Sequence, residues 1–586
     1  MRLIHRIGPK IATEPGMRPT RGEPGMSGDA GGDVSWGLSL WPLGRYSDRT
    51  GDWDSLRGAI MSLDVDRICV VVGRTRHKMV AIELQEAVKR GAKFIELRLD
   101  FLARAVDYKR LMAHKACPLV ATVRRTADGG RWPGTEEQRQ MVIRQAIVSG
   151  YFEWVDLETD VADTIRRFGK VKRIVSYHNF QEVPEDLGEI YEKMCNQDAD
   201  VVKIAVMAQS PIDNLRILKL LERAPKPTVA HCMGDLGFPS RILALKYGAP
   251  FIYAAFNKDR GIAPGLPSME DLRAIYPIDR INRETKVYAV LGDPIAQSYS
   301  PQLHNALFQK LNMDAVYVPM RVPRAQLQAT LNAMESLPIH GYSVTIPHKE
   351  TVATLAQEVS PMVAQTAAAN TLVRRDNGFF ADNTDAPAAV ESIRSVAPKQ
   401  ADGTAYEFQG KAVVLLGSGG VARAIAHALK REGVNLTIAA RNHAAALKLA
   451  EEVGAKAIDW QVRHNGSYDI LVNCTPIGMF PNMNDSPTHP SYFRENTIVF
   501  DTVYNPENTL FLKTARERGC IVVSGLEMFV RQAGLQFQAF TGQEPPLEEL
   551  RQLLRRAISP VTHHAATQAE GEGEGEGESE PTEGDE

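Results

Sequence analysis

Three groups of residues in this 586-residue chain have the types and spacing to do chemistry. The first centres on Lys203 in DVVKIAV and His178 in RIVSYHN. Around it stand Glu96, Arg98 and Asp100 in KFIELRLD, Arg124 in PLVATVR, and Asp156 and Glu158 in WVDLETD. A lysine within an apolar run is costly as a cation, which favours the free amine, a nucleophile toward a ketone. A nearby histidine can then move a proton beside the resulting iminium, and arginine forks match a carboxylate. For Lys203 alone, an internal ion pair is the competing reading.

The second group is Lys349 in GYSVTIPHKE and Asp385 in FADNTDAP. A carboxylate that holds an amine makes a proton relay toward a substrate oxygen; without context, an ordinary surface salt bridge is the better explanation of the pair. Ser298 and Ser300 flank Tyr299 and would point two hydroxyls one way from an extended loop, unless they only cap a helix ahead of Pro301. The third group is KAVVLLGSGGVARAIAHALKREG, an apolar run leading through Gly417, Gly419, Gly420 and Ala422 into an amphipathic segment. That setting gives G-x-G-x-x-A its meaning: a tight turn and close approach of a pyrophosphate to a helix N-terminus. The next strand, NLTIAA, ends at Arg441 rather than at an acid, which suits the 2′-phosphate of NADP(H) better than the bare ribose of NAD.

These groups need scaffolds to hold them. From residue 67 onward, β-rich runs begin near 67, 93, 118, 154, 173, 200, 228 and 250, with segments of helical period between them. Eight β/α units in about 200 residues predict a (β/α)8 barrel with its chemistry at the carboxyl ends of the strands. A polar stretch over 277–285 reads as a linker, after which a fresh α/β pattern begins. The expected fold class is therefore α/β: a barrel over 61–276, then a second α/β unit from 286 that carries a Rossmann-type dinucleotide turn.

Both ends read differently. Residues 1–60 are rich in Gly, Pro and Arg without periodicity, a disordered or non-native extension. They carry acids and lack an apolar core, unlike a transit or signal peptide, so a cytoplasmic location is expected. Residues 559–586 form a disordered acidic tail, whose negative charges leave the remainder of the chain net positive against an overall −3. No run reaches the ~18 apolar residues of a spanning helix, and no basic stripe interleaved with aromatics suggests nucleic acid. The six cysteines show no metal-ligand spacing, and the expected site chemistry calls for no metal.

The motifs FIELRLD, ATVRRTADGG, VSYHNF, ADVVKIAV, PSR and APG, in that order, resemble type I 3-dehydroquinate dehydratases. The resemblance implies a Schiff base on Lys203, proton transfer by His178, and substrate binding by Glu96, Arg98, Arg124 and Arg241. Asp128 stands where the family usually has a glutamate beside the histidine and would orient its ring. The lid segment reads IAPGL, with Ile262 and Leu266 in place of two polar residues usual there. Residues 286–545 resemble shikimate dehydrogenases through SYSPQLHN, VTIPHK, AANTLV, NTD, GSGGVARA, VNCTPIGM, DTVYNP and GLEMFVRQAGLQFQAFTG. That implies a two-lobed dehydrogenase, with a substrate lobe over 286–388, a Rossmann-type NADP lobe over 389–525, and C-terminal helices over 526–558 that pack back on the substrate lobe. It also implies a Lys349/Asp385 dyad, substrate contacts from Ser298, Ser300, Thr345, Asn370, Asp385 and Gln532, and a nicotinamide side at Thr475, Met479 and Gly525. Ser343 replaces the more usual Asn before V-T-x-P.

The implied function is dehydration of 3-dehydroquinate to 3-dehydroshikimate, then its reduction to shikimate with NADPH. The partners are those small molecules, and the sequence leaves the oligomeric state open. Two alternatives stand beside it: a dehydrogenase that prefers quinate or accepts NAD, and a barrel kept as a catalytically dead scaffold or a regulatory binding module.

Overall fold

The computed structural model describes residues 53–558, apart from 114, 259–260, 400–402 and 465. Eight parallel strands form the first sheet: β1 (Ile68–Val72), β2 (Ile95–Arg98), β3 (Leu119–Thr122), β4 (Trp154–Glu158), β5 (Lys172–Asn179), β6 (Val201–Met207), β7 (Thr228–Met233) and β8 (Ile252–Ala255). The ladder runs in sequence from β1 to β7, with β8 added beside β1, giving a nearly closed barrel whose two ends are β7 and β8. Both faces of these strands are covered, which is why they read as continuous apolar runs. Cys69, Phe94, Val120, Trp154, Ile174, Val201, Val229 and Phe251 fill the interior with one dry cluster, which Leu63 joins. The inward positions nearer the carboxyl ends are then free to be polar.

A six-stranded mixed sheet follows: β9 (Lys286–Gly292), β10 (Ala315–Arg321), β11 (Ile339–Val344), β12 (Glu358–Val359), β13 (Thr371–Arg375) and β14 (Gly378–Asp382). Its order is β10-β9-β11-β13-β14-β12, with β13 antiparallel to both neighbours. The last sheet is parallel: β15 (Ala412–Leu416), β16 (Asn435–Ala440), β17 (Lys456–Asp459), β18 (Ile470–Asn473), β19 (Ile498–Asp501) and β20 (Ile521–Val523). Its order β17-β16-β15-β18-β19-β20 is the 3-2-1-4-5-6 arrangement of a dinucleotide-binding sheet. Two long helices, Asp385–Val396 and Gly525–Thr541, pack on each other between the two sheets.

Three expectations need correction. The stretch before residue 61 is not featureless, because Trp53–Met61 is helical and Leu56 is buried; Leu56, Ile60 and Leu63 recur at helical spacing. The rest of that extension, residues 1–52, and the acidic tail from 559 lie outside the described residues. Residues 277–285 are no loose linker. Ile278 and Ile281 are buried in a cluster shared by the barrel's outer layer and the substrate lobe. The Arg67 guanidinium donates to both of their carbonyls, at 3.0 and 2.6 Å. Finally, a lobe boundary at 388/389 falls inside the helix Asp385–Val396, whose buried face joins the Rossmann core.

Candidate active sites

The barrel site is a ladder of buried charges on inward positions of successive strands. Lys203 on β6 lies 3.0 Å from Asp156 on β4 and 3.3 Å from Glu96 on β2, with its Nζ 4.1 Å above the Tyr253 ring. Asp156 also pairs with Arg124 at 2.8 Å and accepts from Ser176 at 2.6 Å. Arg124 reaches Glu158 at 3.0 Å, and Glu158 in turn holds Arg139 at 2.7 Å. Burial would raise the Asp156 carboxyl, but Arg124 and Lys203 outweigh it and hold it well below the usual range. Burial likewise opposes the Arg124 cation, and its two carboxylates raise it again. Alternating charges of this kind satisfy one another where a lone one would not survive.

His178 sits one inward position beyond Ser176 on β5. Desolvation, then Arg124 and Lys203, push its imidazole well below its ordinary value, so it is a neutral base. Its Nδ1 is buried without a hydrogen-bond partner, and the ring stacks on Phe180 with centroids 6.4 Å apart. No hydrogen bond joins Asp128 to it among the described residues. The carboxylate pairs instead with Arg125, which also bonds Asp160; an aspartate is one methylene shorter than the glutamate usual there, and the adjacent guanidinium captures it. Arg98 is gripped by Asp100 through two bonds of 2.9 and 2.8 Å. Arg241, pulled down to about 10 by burial, donates to the Pro264 carbonyl of the lid at 2.9 Å. Ile262 and Leu266 of that lid turn inward and pack on the barrel's interior cluster.

In the second half, Lys349 opens the helix Lys349–Leu355 and Asp385 opens Asp385–Val396. Their side chains meet at 2.5 Å, with 15% and 9% of each exposed. Asn383 accepts from the Asp385 amide at 3.1 Å and fixes that turn. Asn370 grips the same loop through Thr384, at 2.9 Å. Ser343 donates to Gln536, which donates to the Asn370 carbonyl, so the serine keeps the helix Gly525–Thr541 tied to the substrate lobe. Gln532 on that helix retains 9% exposure, and Thr345 follows β11 beside Gly292. Tyr299 has helical angles, contrary to the extended loop expected; Ser298 accepts from the Ser300 amide at 3.3 Å, and Ser300 begins a helix. Tyr299 meets Tyr504 of the other lobe edge-on, with centroids 6.3 Å apart.

The nucleotide side shows the cradle expected of a dinucleotide turn. Gly417 has φ +124°, and a Cβ there would meet the Cys474 carbonyl at 2.8 Å. Gly419 and Gly420 would have nothing within 4 Å, leaving open space at the start of the helix Gly420–Arg431, and Ala422 is buried against the sheet. These features fit a pyrophosphate. Arg441 is exposed just beyond β16. Thr475 donates to Asn473 at 2.6 Å, Met479 is 45% exposed, and a Cβ on Gly525 would meet the Val503 carbonyl at 2.4 Å.

Family models match the chain in four stretches. They are a type I 3-dehydroquinase over residues 68–283, a shikimate dehydrogenase substrate binding domain over 290–372, a shikimate/quinate 5-dehydrogenase over 399–476, and a shikimate 5′-dehydrogenase C-terminal domain over 525–555. A chloroplastic bifunctional 3-dehydroquinate dehydratase/shikimate dehydrogenase of Arabidopsis thaliana is 35% identical over 510 residues, spanning 83% of this chain and 84% of that protein. The chain belongs to this bifunctional family. It is both a lyase and an oxidoreductase of the shikimate pathway, which favours the two-enzyme reading over the scaffold alternative. The shikimate biosynthesis protein AroDE of Chlamydia pneumoniae is 31% identical over 391 residues, 66% of this chain and 78% of that one. A solved Thermus thermophilus shikimate 5-dehydrogenase, in complex with NADP(H) and shikimate, is 31% identical with a TM-score of 0.42, covering 46% of this chain and 99% of that one. No helix among the described residues is long and apolar enough to cross a membrane.

Several contacts of the candidate site were not legible in the sequence. Asp156 and Glu158 were visible as rim acids, but not as partners of Lys203 and Arg139. Ser176, His231 and Tyr253 carried a signal too: each is two residues from another inward-facing position on its strand.

Proposed function

We propose that Lys203 forms a Schiff base with the ketone of 3-dehydroquinate, and that Lys349 and Asp385 handle the proton in the reduction of 3-dehydroshikimate. The observation behind the first half is convergence: two buried carboxylates, a guanidinium and a neutral imidazole from separate strands surround one amine. Glu96 and Asp156 balance the charge of the iminium, which draws electrons from the ring. His178, neutral near pH 7, takes the proton from the adjacent carbon and returns it to the departing hydroxyl. Glu96, Arg98, Arg124 and Arg241 hold the substrate, and the inward-turned lid excludes water from the mouth.

In the second half, Ser298, Ser300, Thr345, Asn370 and Gln532 bind the substrate's carboxylate and hydroxyls. Gly417, Gly419, Gly420, Ala422 and Arg441 would hold the phosphates of NADP(H), with Thr475, Met479 and Gly525 on the nicotinamide side. NADPH supplies the hydride when bound. Lys349 gives a proton to the ketone oxygen, and Asp385 keeps the ammonium aimed and helps to reload it. The division of labour follows the barrel over 61–276, the substrate lobe from 286, the Rossmann lobe to 525 and the helices to 558. The six free thiols suit a reducing cytoplasm.

Borohydride trapping tests the reading. With 3-dehydroquinate present, reduction should leave one stable adduct, on the peptide carrying Lys203, and none in Lys203→Ala. An adduct on another lysine, or none at all, would refute the assignment. NADPH oxidation by the full chain given 3-dehydroquinate alone should then report both sites in series.

A further inference from the structure

The barrel holds a second imidazole that the mechanism above does not use. Strand register pairs His178 on β5 with Ala205 on β6, and Ala205 with His231 on β7. The same register pairs Ser176 with Lys203 and Lys203 with Val229, one inward position earlier. The two histidines therefore flank β6 at one level, one step nearer the mouth than the reactive lysine. His231 is 7% exposed, and its ring nitrogens have no hydrogen-bond partner among the described residues. Its ring lies 6.5 Å from that of Tyr253, over which Lys203 sits. Burial, then Arg241 and Lys203, push the imidazole well below its ordinary value, so it is neutral between two cations.

We infer that His231 is a substrate-contacting residue of the dehydratase, donating a hydrogen bond to the hydroxyl that leaves the ring. The inference rests on the Schiff-base reading of Lys203 and on Arg241 as the carboxylate anchor, since Arg98 and Arg124 are taken by Asp100, Asp156 and Glu158 while Arg241 has no carboxylate partner among the described residues. In 3-dehydroquinate the departing hydroxyl and the carboxylate share one carbon, two bonds from the ketone carbon. A donor beside both Arg241 and Lys203 therefore faces that carbon, while His178 on the other flank faces the carbon between. The step balances without a new reagent. The C–H bond breaks with its proton going to His178, and its electron pair becomes the enamine double bond. The C–O bond then breaks, and the hydroxyl departs as water with the proton His178 carries. His231 is unchanged, having stabilised the charge that develops on the oxygen. A cationic imidazole would be repelled by its two neighbours; a neutral one can donate from one nitrogen and accept at the other.

The test compares His231→Leu, which cannot donate, with His231→Gln, which can. Dehydration is followed at the absorbance of the conjugated product. Reduction of 3-dehydroshikimate by the same chain serves as a check that the protein is folded, and borohydride trapping reports adduct formation. The expected result is a kcat loss of ~10²-fold for the leucine variant, with the Lys203 adduct still forming, and recovery of ~10-fold in the glutamine variant. A leucine variant at full dehydration rate overturns the inference. So does an equal loss in both variants, or a lost adduct, since either would make His231 a packing residue around Lys203. If the unaltered enzyme gives no adduct, it is the Schiff-base reading that fails; a kcat loss in His231→Leu would still be read separately.

Discussion

Replacing Asp385 by asparagine removes a charge while keeping the shape of the side chain. Asp385 starts a helix, its amide is held by Asn383, and its carboxylate lies 2.5 Å from Lys349. Asparagine can occupy the same volume and still accept one hydrogen bond from the ammonium, so the loss is that of charge assistance alone. Hydrogen bonds to charged groups are worth ~1.5–3 kcal/mol against ~0.5–1.5 kcal/mol for neutral ones, a difference of ~1–1.5 kcal/mol, and each ~1.4 kcal/mol is tenfold in rate. With the pair only 15% and 9% exposed, little solvent screening reduces that figure. The expected kcat for 3-dehydroshikimate reduction is therefore ~5- to ~10-fold lower. The KM for NADPH should be unchanged, because the proposed role of Asp385 lies on the substrate side. Steady-state NADPH oxidation measures both quantities, and dehydration of 3-dehydroquinate by the same molecules should proceed at the unaltered rate. A kcat within threefold of the parent would refute the dyad. A defect confined to the KM for NADPH would instead mean that the pair serves the cleft's shape.

Two further perturbations address stability. Arg139 is fully buried, pairs with Glu136 and Glu158 and donates to the Val123 carbonyl; Arg139→Met strips Glu158 of one of its two arginines and should cost ~3–5 kcal/mol, read as a fall in the barrel's melting temperature, and a shift under ~2 °C would sink the claim that the ladder is interdependent. Asp501 accepts from Asn473, Thr509 and the Val503 amide, yet burial pushes its carboxyl up to about 7. A folded pKa above the unfolded one near 3.9 means the folded state binds the proton more tightly, so this stabilisation is present at pH 4 and is lost as pH rises through about 7. Urea unfolding at pH 5, 6, 7 and 8 should show a decline that Asp501→Asn lacks, and parallel curves for the two proteins would contradict it.

What the sequence made legible follows from how each feature is encoded. All eight barrel strands stand within two or three residues of their expected starts, because a strand buried on both faces must be apolar along its whole length. The candidates Lys203 and His178 stood out by the same logic, since a lysine or histidine inside such a run is an expensive exception. Arg139 was invisible because EEQRQMVIRQAIV reads as a solvated helix face, and only the neighbouring strand makes that face an interior. Residues 277–285 were misread for the converse reason. Five charged or amide side chains dominate their composition, while Ile278, Ile281 and Thr285 alone carry the packing. The pairing of Asp128 with Arg125 was not legible, because spacing fixes where a residue stands but not which of two partners it takes.

On the proposed mechanism, the two halves set opposite problems for the same side chain. A lysine that must become covalently bound has to be shielded from water and given fixed charge balance before and after its bond forms. Lys203 is 6% exposed, with carboxylates on two strands and an aromatic ring against it. A lysine that donates a proton on every turnover has to recover one, and so needs a path to solvent and a single flexible partner. Lys349 is 15% exposed and has only Asp385 as an ion-pair partner among the described residues. If burial rather than residue type assigns these roles, opening the barrel mouth should harm Lys203 far more than opening the cleft harms Lys349. Leu266→Ser, which loosens the apolar seat of the lid, should therefore slow adduct formation at Lys203 without changing the rate of 3-dehydroshikimate reduction. Trapping kinetics and NADPH oxidation on one sample separate the two, and equal rates of adduct formation in both proteins would show that the lid's packing is not what keeps Lys203 dry.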